Sequence, residues 1–461
     1  MPTAVQNTPH DTHSPAVSRP RPARRLSVAP APRTGPELVG AELTVPLVTG
    51  EQVPYANFDY AASAPCLRAV RDAVEEVLPW YSSVHRGAGF TSQVSTRLYE
   101  RARGSVRRFV NAWHGDAVVF TRNTTDSLNL LASALPAGTT VVVFETEHHA
   151  NLLPWPARRT VRLPAPASPE EAVAAAEQAL VASPVGPRLL CVTAASNVTG
   201  ELWPVEELAE VAHRHGARIA VDAAQLVPHR RIDMIATGVD YLAFSGHKLY
   251  APYGAGVLVG RVDWLRAAEP YLRGGGASRA VRDTGTSWAD VPERHEAGTP
   301  NVLGAVALAT ACDTLAPVLD QLAETEEALL ARARAGLARV PGLRQLGLWP
   351  SEHPRVSIIS FVLDGWDSAH LAAALSAEYG IGVRDGRFCA HLFTDQLVAG
   401  AGGQGSAVRA SLGIGTTAAQ VDRLVRAVHR LATTGANWRY ETVDGRIAPS
   451  PDPRPLPAFL A

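Results

Sequence analysis

A lysine stands just beyond an apolar run that is typical of a buried strand. Lys248 lies in the segment Phe-Ser-Gly-His-Lys-Leu-Tyr, residues 244–250, which follows the apolar residues 241–243. A second short apolar run ends in Asp222. In open α/β sheets, ligands bind beyond the carboxyl ends of the strands, so both charged groups could line one crevice.

Two interpretations of this pair are open. Lys248 and Asp222 could form a buried ion pair that only satisfies both charges. Alternatively, the lysine could form a Schiff base with pyridoxal phosphate, and the aspartate could keep the pyridine nitrogen protonated so that the ring accepts electrons. Burial lowers the pKa of an amine, which favours imine formation. The pair alone does not decide between the two.

Three further strand ends favour the cofactor. The segment Thr121-Arg-Asn-Thr-Thr-Asp126 lies between a predicted strand and a predicted helix, where backbone N–H groups can bind a phosphate. The segment Glu147-His-His-Ala-Asn151 brings imidazoles to the same rim, and Ala195-Ser-Asn-Val-Thr-Gly200 brings an amide. Each segment alone is common as a helix cap or a turn. Together they predict a site with a phosphate loop, a ring partner, an amide and an amine.

The elements that would position these residues alternate along the chain. Short apolar runs indicate strands at residues 117–120, 140–144, 189–192, 218–221, 241–244 and 254–260. Helical patterns lie between them, at residues 126–134, 170–182 and 205–215. This alternation predicts a mostly parallel α/β sheet covered on both faces. A long helical pattern over 304–335 then leads to a smaller α+β region, with further strands at 355–362 and 381–383 and helices at 369–379 and 418–433.

The composition excludes several classes of partner. The chain has 461 residues, with 43 Lys+Arg against 44 Asp+Glu, so no basic surface for nucleic acid or an anionic membrane is expected. A small-molecule partner is expected instead. The four cysteines are scattered and form no C-x-x-C pair, which argues against a disulfide framework and against a structural zinc site; no metal is expected. They indicate a reducing compartment, the cytoplasm.

Four motifs resemble the class V aminotransferase superfamily. They are V-D-A-A-Q (221–225), S-G-H-K-L-Y-A-P-Y-G (245–254), E-H-H-A-N-L-L-P-W (147–155) and E-A-G-T-P-N (296–301). Within that superfamily, they are most similar to the cysteine desulfurase/selenocysteine lyase group of SufS type, from about Phe58 to Leu431. The resemblance implies the fold of fold type I enzymes that use pyridoxal phosphate. That fold has a large domain with a mostly parallel seven-stranded sheet flanked by helices, and a smaller α+β C-terminal domain. The resemblance also implies a homodimer.

Five regions are predicted from the composition and the resemblance. They are a disordered Pro/Arg-rich tail over 1–35, an N-terminal segment over 36–90 that packs on the small domain and the site, a cofactor-binding large domain over 91–310, a small α+β domain over 311–435, and a Pro-rich tail over 436–461. The basic first segment could also be a transit peptide, but it lacks an amphipathic pattern.

The resemblance also implies roles for individual residues. Lys248 would form the Schiff base, Asp222 would pair with the pyridine nitrogen, and His148 would stack on the ring. The other implied contacts are Gln225 and Asn197 with the cofactor, Thr124, Thr125, Ser245 and His247 with its phosphate, Thr299 with the phosphate in a partner subunit, and Asn197, Arg384 and Arg409 with the amino-acid substrate.

One cysteine would decide the reaction. Cys389, in V-R-D-G-R-F-C-A-H (383–391), falls at the position of the cysteine that takes the substrate's sulfur as a persulfide and leaves alanine. Arg384 and Arg387 could lower the pKa of its thiol. The chain departs from the pattern here, because Arg387-Phe388 replaces the usual His-His and residues 399–405 are glycine-rich. The alternative is that Cys389 is only a small packing residue, as Cys66, Cys191 and Cys312 are expected to be.

Three functions follow as hypotheses. The leading one is removal of sulfur from L-cysteine, or of selenium from selenocysteine, with possible transfer to a sulfur-acceptor protein. The second is another reaction on the same fold, by an aminotransferase, an epimerase or a C–S lyase in which Cys389 is not catalytic. The third is a non-catalytic sulfur-relay or scaffold protein, which the intact set of Lys248, Asp222 and His148 argues against.

Overall fold

The computed structural model describes residues 35–403 and 405–460. Apart from Gly35, the tail predicted over residues 1–35 lies outside the described residues. The strands are β1 Thr44–Pro46, β2 Gln52–Pro54, β3 Ala56–Asn57, β4 Ala117–Thr121, β5 Thr140–Phe144, β6 Thr160–Leu163, β7 Arg188–Thr193, β8 Arg218–Asp222, β9 Tyr241–Ser245, β10 Gly256–Gly260, β11 Ser278–Arg282, β12 Gly285–Trp288, β13 Leu343–Gln345, β14 Ile358–Leu363, β15 Ile381–Gly382, β16 Arg384–Gly386, β17 Ala407–Ser411, β18 Tyr440–Val443 and β19 Arg446–Pro449. The α-helices are α1 Arg68–Val77, α2 Phe90–Phe109, α3 Thr124–Ser133, α4 His149–Leu152, α5 Pro169–Ala182, α6 Val205–Arg214, α7 Met234–Thr237, α8 Val262–Ala267, α9 Val302–Leu315, α10 Leu319–Leu337, α11 Ser368–Tyr379, α12 His391–Gly400 and α13 Ala418–Thr434.

A seven-stranded sheet forms the largest core, in the order β4-β10-β9-β8-β7-β5-β6. Strands β6, β5, β7, β8 and β9 are parallel, whereas β10 is antiparallel to both of its neighbours. Every residue of β5, β9 and β10 is buried, which explains why these strands are continuous apolar runs in the sequence. The predicted mostly parallel α/β sheet is confirmed.

The long helical pattern over 304–335 forms two helices. Helices α9 and α10 meet at 78°, and Pro317 lies in the break between them. Proline lacks an N–H donor and disfavours helical backbone in the residue before it, so it ends the first helix here. Among the described residues, no single helix is long and apolar enough to cross a membrane, and this bent pair meets the criterion only when its two halves are taken together.

A second, four-stranded antiparallel sheet has the order β13-β14-β17-β16. Helices α10, α11 and α13 share a buried apolar core with it, which includes Leu337, Phe361, Leu375 and Leu424. The N-terminal segment is tied to this region by the parallel pairing of β3 with β15.

Residues beyond α13 include a β-hairpin as well as the proline-rich stretch. Strands β18 and β19 pair there, and β19 packs on α11. The carboxylate of Glu378 in α11 accepts hydrogen bonds from the backbone of Asn437 and Trp438 and from the Tyr440 hydroxyl. This carboxylate therefore anchors the C-terminal segment to the second sheet's helices.

Candidate active site

Five strand ends surround one cavity of about 290 Å³. Strand β4 is antiparallel to β10, as β9 is, so β4, β9, β8, β7 and β5 all point the same way. Their carboxyl ends consequently lie at one edge of the sheet, where ligands bind in folds of this kind. Every residue that the sequence predicts for the site lines this cavity, with Thr299 as the exception.

Lys248 lies in the turn that follows β9 and has no hydrogen bond or ion pair with any residue in the described part of the chain. Burial lowers the pKa of its amine, and the nearby Asp222 partly offsets this effect. Asp222 ends β8, and its Oδ1 accepts a hydrogen bond from the Ala224 backbone N–H at 2.9 Å. Burial raises the pKa of this carboxyl group. The amine is thus both desolvated and free to react.

His148 is held in one tautomer by the start of helix α4. Its Nδ1 accepts a hydrogen bond from the Ala150 backbone N–H at 3.0 Å, which leaves Nε2 as the protonated nitrogen. Burial and the positive charge of Lys248 lower the pKa of His148 to about 3. The ring is therefore neutral at physiological pH and can pack against an aromatic ligand without carrying a charge.

The N-terminus of helix α3 forms another side of the cavity. Thr124, its first residue, donates its backbone N–H to Ser245 Oγ at 2.7 Å, and the two hydroxyl groups lie 2.6 Å apart. Thr125 and His247 line the cavity beside them, and burial lowers the pKa of His247 to about 4. This ten-residue helix places hydroxyl and N–H groups where an anion would be stabilised.

Gln225 ties the N-terminal segment to the cavity. Its side chain is buried, and Nε2 donates a hydrogen bond to the Ala61 carbonyl oxygen at 2.9 Å. Ala61 and Ala62 themselves line the cavity. The segment before α1 is therefore part of the site wall.

Two arginines from the second sheet enter the cavity. Arg384 in β16 and Arg409 in β17 are directly opposite each other in the register, so their side chains share a face. Arg409 is buried, and its Nη2 lies 3.3 Å from Oδ1 of Asp59. Burial lowers the pKa of Arg409 to about 10, while Asp59 opposes that change. Guanidinium groups of this kind bind carboxylates with two parallel hydrogen bonds.

Cys389 is exposed and lines the same cavity as Lys248. It stands two residues before helix α12, in a loop that contacts the opposite wall of the cavity. Asn197 Nδ2 donates a hydrogen bond to the Phe388 carbonyl oxygen at 2.7 Å, and the His149 N–H donates one to the Cys389 carbonyl oxygen at 2.7 Å. The Asn197 amide, expected to contact cofactor and substrate, is thus already engaged by the cysteine loop. Cys191 and Cys312 are buried as expected, and Cys66 is half-buried.

Thr299 lies outside this cavity. It is exposed and lines a separate pocket with His85, Arg86 and Gly276. Glu296, three residues earlier, forms a bidentate ion pair with Arg103 at 2.7 Å for both contacts. That pair fixes the segment carrying Thr299 to α2. Within the residues that the structure describes, no group of three or more His, Cys, Asp or Glu side chains could hold a metal ion.

A model of the class-V aminotransferase family matches residues 56–424, a stretch that includes every predicted site residue. The chain belongs to the class-V aminotransferase family. The superfamily inferred from the four sequence motifs is therefore confirmed, and so is the fold class that it implies.

Relatives of this class-V aminotransferase chain include cysteine desulfurases. It is 38% identical over 391 residues to a cysteine desulfurase of Dickeya dadantii, covering 82% of this chain and 92% of the relative. It is 36% identical over 392 residues to a probable cysteine desulfurase of Vibrio cholerae, and the match covers 82% of this chain and 93% of the relative. Among solved structures, the apo cysteine desulfurase of Thermococcus onnurineus NA1 matches with a TM-score of 0.74 and 31% identity, over 82% of this chain and 94% of that one. The Escherichia coli cysteine desulfurase CsdA, in an S-sulfonic acid form, matches with a TM-score of 0.71 and 34% identity. The match covers 82% of this chain and 94% of that one.

Two residues that sequence reasoning did not assign also shape the site. Asp59 forms an ion pair with Arg409. It lies at the start of the stretch that resembles the family, but the sequence motifs give it no role. Glu147 is buried directly before His148, and its oxygens accept hydrogen bonds from the Thr193 N–H and the Asn151 amide, both at 2.8 Å. Burial raises the pKa of Glu147 to about 8. Glu147 thereby joins the turn after β5 to the last residue of β7. Its place in the E-H-H motif was the signal available in the sequence.

Proposed function

We propose that this class-V aminotransferase chain is a pyridoxal phosphate enzyme that removes sulfur from L-cysteine, or selenium from selenocysteine, and leaves alanine. The observation that carries the proposal is that Cys389 and Lys248 line one cavity together with Arg409. The relatives of this chain include three proteins named cysteine desulfurase and one named probable cysteine desulfurase, which supports the same reaction.

The residues present fit pyridoxal phosphate. Lys248 offers an amine with no partner in the described part of the chain. Asp222 offers a buried carboxyl group that is close enough to interact electrostatically with this amine. Thr124, Thr125 and Ser245 offer hydroxyl groups at the N-terminus of α3 for the phosphate. When bound, the cofactor supplies an electron sink that labilises bonds at the α and β carbons of an amino acid.

The substrate would be held by the protein's own charges. Arg409, with Arg384 opposite it, would bind the α-carboxylate, because a guanidinium matches that group with two hydrogen bonds. His148 would lie against the cofactor ring as a neutral imidazole, since burial keeps its pKa near 3. Gln225 and His247 would complete the wall around the cofactor.

Cys389 would then take the sulfur. Its thiolate attacks the substrate sulfur, a new S–S bond forms, and the bond between the β carbon and sulfur breaks. The electron pair of the broken bond remains with the carbon fragment, which gains protons and leaves as alanine. The products are alanine and a persulfide on Cys389, so atoms and electrons balance without an external oxidant or reductant.

We also propose the assembly and the surroundings of the enzyme. A homodimer would place Thr299 of one chain beside the phosphate of the other, which accounts for its position outside the cavity of its own chain. A sulfur-acceptor protein would approach the exposed Cys389. Four free cysteines fit a reducing compartment such as the cytoplasm.

Two variants test this function. The purified protein should absorb as a pyridoxal phosphate enzyme and form equal amounts of alanine and sulfide from L-cysteine in the presence of a thiol reductant. Lys248→Ala should lose both the bound cofactor's absorbance and the activity. Cys389→Ser should keep the absorbance and lose sulfide production by at least a hundredfold. Unchanged turnover in Cys389→Ser would favour a C–S lyase or another reaction on this fold.

A further inference from the structure

The loop that carries Cys389 has an unfavourable backbone conformation. Phe388 and Cys389 both have positive φ angles, 52° and 54°. Residues with side chains rarely adopt this left-handed region, and two in succession are rarer still, because the β carbon crowds the backbone. Neither residue is glycine, so other contacts must hold the loop in place.

Phe388 is buried in an apolar cluster, and hydrogen bonds from the opposite wall of the cavity also hold the loop, two of them at the strained residues themselves. The Asn197 side-chain amide donates to the Phe388 carbonyl oxygen at 2.7 Å, across a sequence separation of 191 residues. The His149 backbone N–H donates to the next carbonyl oxygen, that of Cys389, at 2.7 Å. The two strained residues are therefore fixed through consecutive carbonyl groups by the turns that follow β7 and β5.

Asn197 also contacts the arginine expected to bind the substrate carboxylate. Arg409 Nη1 donates a hydrogen bond to the Asn197 backbone carbonyl oxygen at 2.9 Å. The guanidinium carbon of Arg409 lies 5.1 Å from the centre of the Phe388 ring, within the range of a cation–π interaction. Asn197, Phe388 and Arg409 thus form one contact network beside Cys389.

We propose that Asn197 is a positioning residue for Cys389. Its amide holds the loop in the left-handed conformation and joins the loop to the carboxylate-binding arginine. The consequence for sulfur transfer rests on the proposed function, whereas the hold on the loop does not. Asn197 acts through the Phe388 carbonyl group, which differs from the direct contact with cofactor and substrate that the sequence predicts.

The loop itself gives the first test. Asn197→Ala removes the donor, the milder Asn197→Ser replaces it with a shorter hydroxyl that does not reach as far, and Asp395→Asn serves as a matched control. Asp395 lies in helix α12 and forms an exposed ion pair with Arg387, which belongs to the cysteine loop. Asp395 does not contact Asn197. Amide hydrogen exchange of residues 386–391 and the rate of Cys389 alkylation by iodoacetamide are measured on the purified full chain. We expect exchange at least tenfold faster in both Asn197 variants and little change in Asp395→Asn, with a clear change in the alkylation rate of the Asn197 variants alone.

Steady-state kinetics then separates positioning from direct binding. If Asn197 positions Cys389, Asn197→Ser should lower kcat for sulfide formation at least tenfold while KM for L-cysteine and the cofactor's absorbance stay within about threefold of wild type. Unchanged exchange and alkylation would overturn the proposal, as would a rise in KM with kcat preserved, because that result assigns the amide to the substrate. A wild-type protein without bound cofactor would count against the proposed function, and the exchange and alkylation results would still decide the role of Asn197.

Discussion

Arg409 Nη2 lies 3.3 Å from Asp59 Oδ1, so the buried arginine that lines the cavity is paired with a carboxylate of the N-terminal segment. Arg384, the cross-strand neighbour of Arg409, also acts electrostatically on this carboxylate. Asp59 therefore offsets one of two positive charges where the substrate carboxylate is expected to bind. One net positive charge matches an amino acid with a single carboxylate and a neutral side chain.

Asp59→Asn should shift substrate preference toward acidic amino acids. Removing the carboxylate leaves the guanidinium groups of Arg384 and Arg409 uncompensated. A charge a few ångströms from a bound anion, partly screened by solvent, changes the affinity for that anion by about 1–2 kcal/mol, or roughly tenfold. The ratio of apparent affinities for L-cysteine sulfinate and L-cysteine, followed through the cofactor's absorbance, measures the effect. Asp320→Asn, an exposed carboxylate paired with Arg231, is the control and should leave the ratio unchanged. An unchanged ratio in Asp59→Asn would show that this carboxylate does not set the charge of the subsite.

Glu296→Gln should destabilise the fold strongly. The side chains of Glu296 and Arg103 are both 5% exposed and paired by two hydrogen bonds, so a neutral amide leaves the buried guanidinium with a much more exposed carboxylate, that of Glu100, as its ion-pair partner. Losing one partner of a buried ion pair costs about 3–5 kcal/mol. Urea unfolding measures the loss, and Asp422→Asn, which breaks the exposed pair with Arg332, should cost less than about 1 kcal/mol. Equal losses in the two variants would contradict this account of the buried pair.

His148→Asn should weaken the acid sensitivity of the cofactor-free protein. The pKa of His148 falls from 6.5 to about 3 in the folded chain, mainly because of burial. Between these values the unfolded chain binds a proton at this site that the folded chain does not, so stability falls as pH decreases from 6.5 toward 3. The pH dependence of the unfolding free energy over that interval should be steeper for wild type than for His148→Asn. Equal slopes would mean that His148 is not held neutral by the fold.

Much of the first sheet and its strand ends could be predicted from the sequence. Strands buried on both faces are continuous apolar runs, and polar residues directly after such runs stand out, as Asp222 and Lys248 do. Convergence at one sheet edge then follows from parallel topology. Pro317 indicates the break between α9 and α10. The apolar periodicity continues on both sides of this proline, so the sequence pattern predicted one long helical stretch.

The cysteine loop could not be predicted in this way. Its left-handed residues, Phe388 and Cys389, are of types that rarely adopt positive φ angles, so no local pattern marks them. The bond from Asn197 joins residues far apart in the chain and depends on how the two sheets pack. The hairpin of β18 and β19 has a turn signal in Asp444-Gly445, but the prolines from Pro449 to Pro457 that follow it favoured an extended tail.

The central claim is that Cys389 receives the sulfur of the substrate in a reaction that depends on Lys248. The most direct measurement is peptide mass spectrometry after brief incubation with L-cysteine without reductant, followed by alkylation. The account predicts one additional sulfur atom on the peptide that contains Cys389, and none on that peptide in Lys248→Ala. Formation of alanine and sulfide by the wild-type protein with no added sulfur on Cys389 at any time would contradict it.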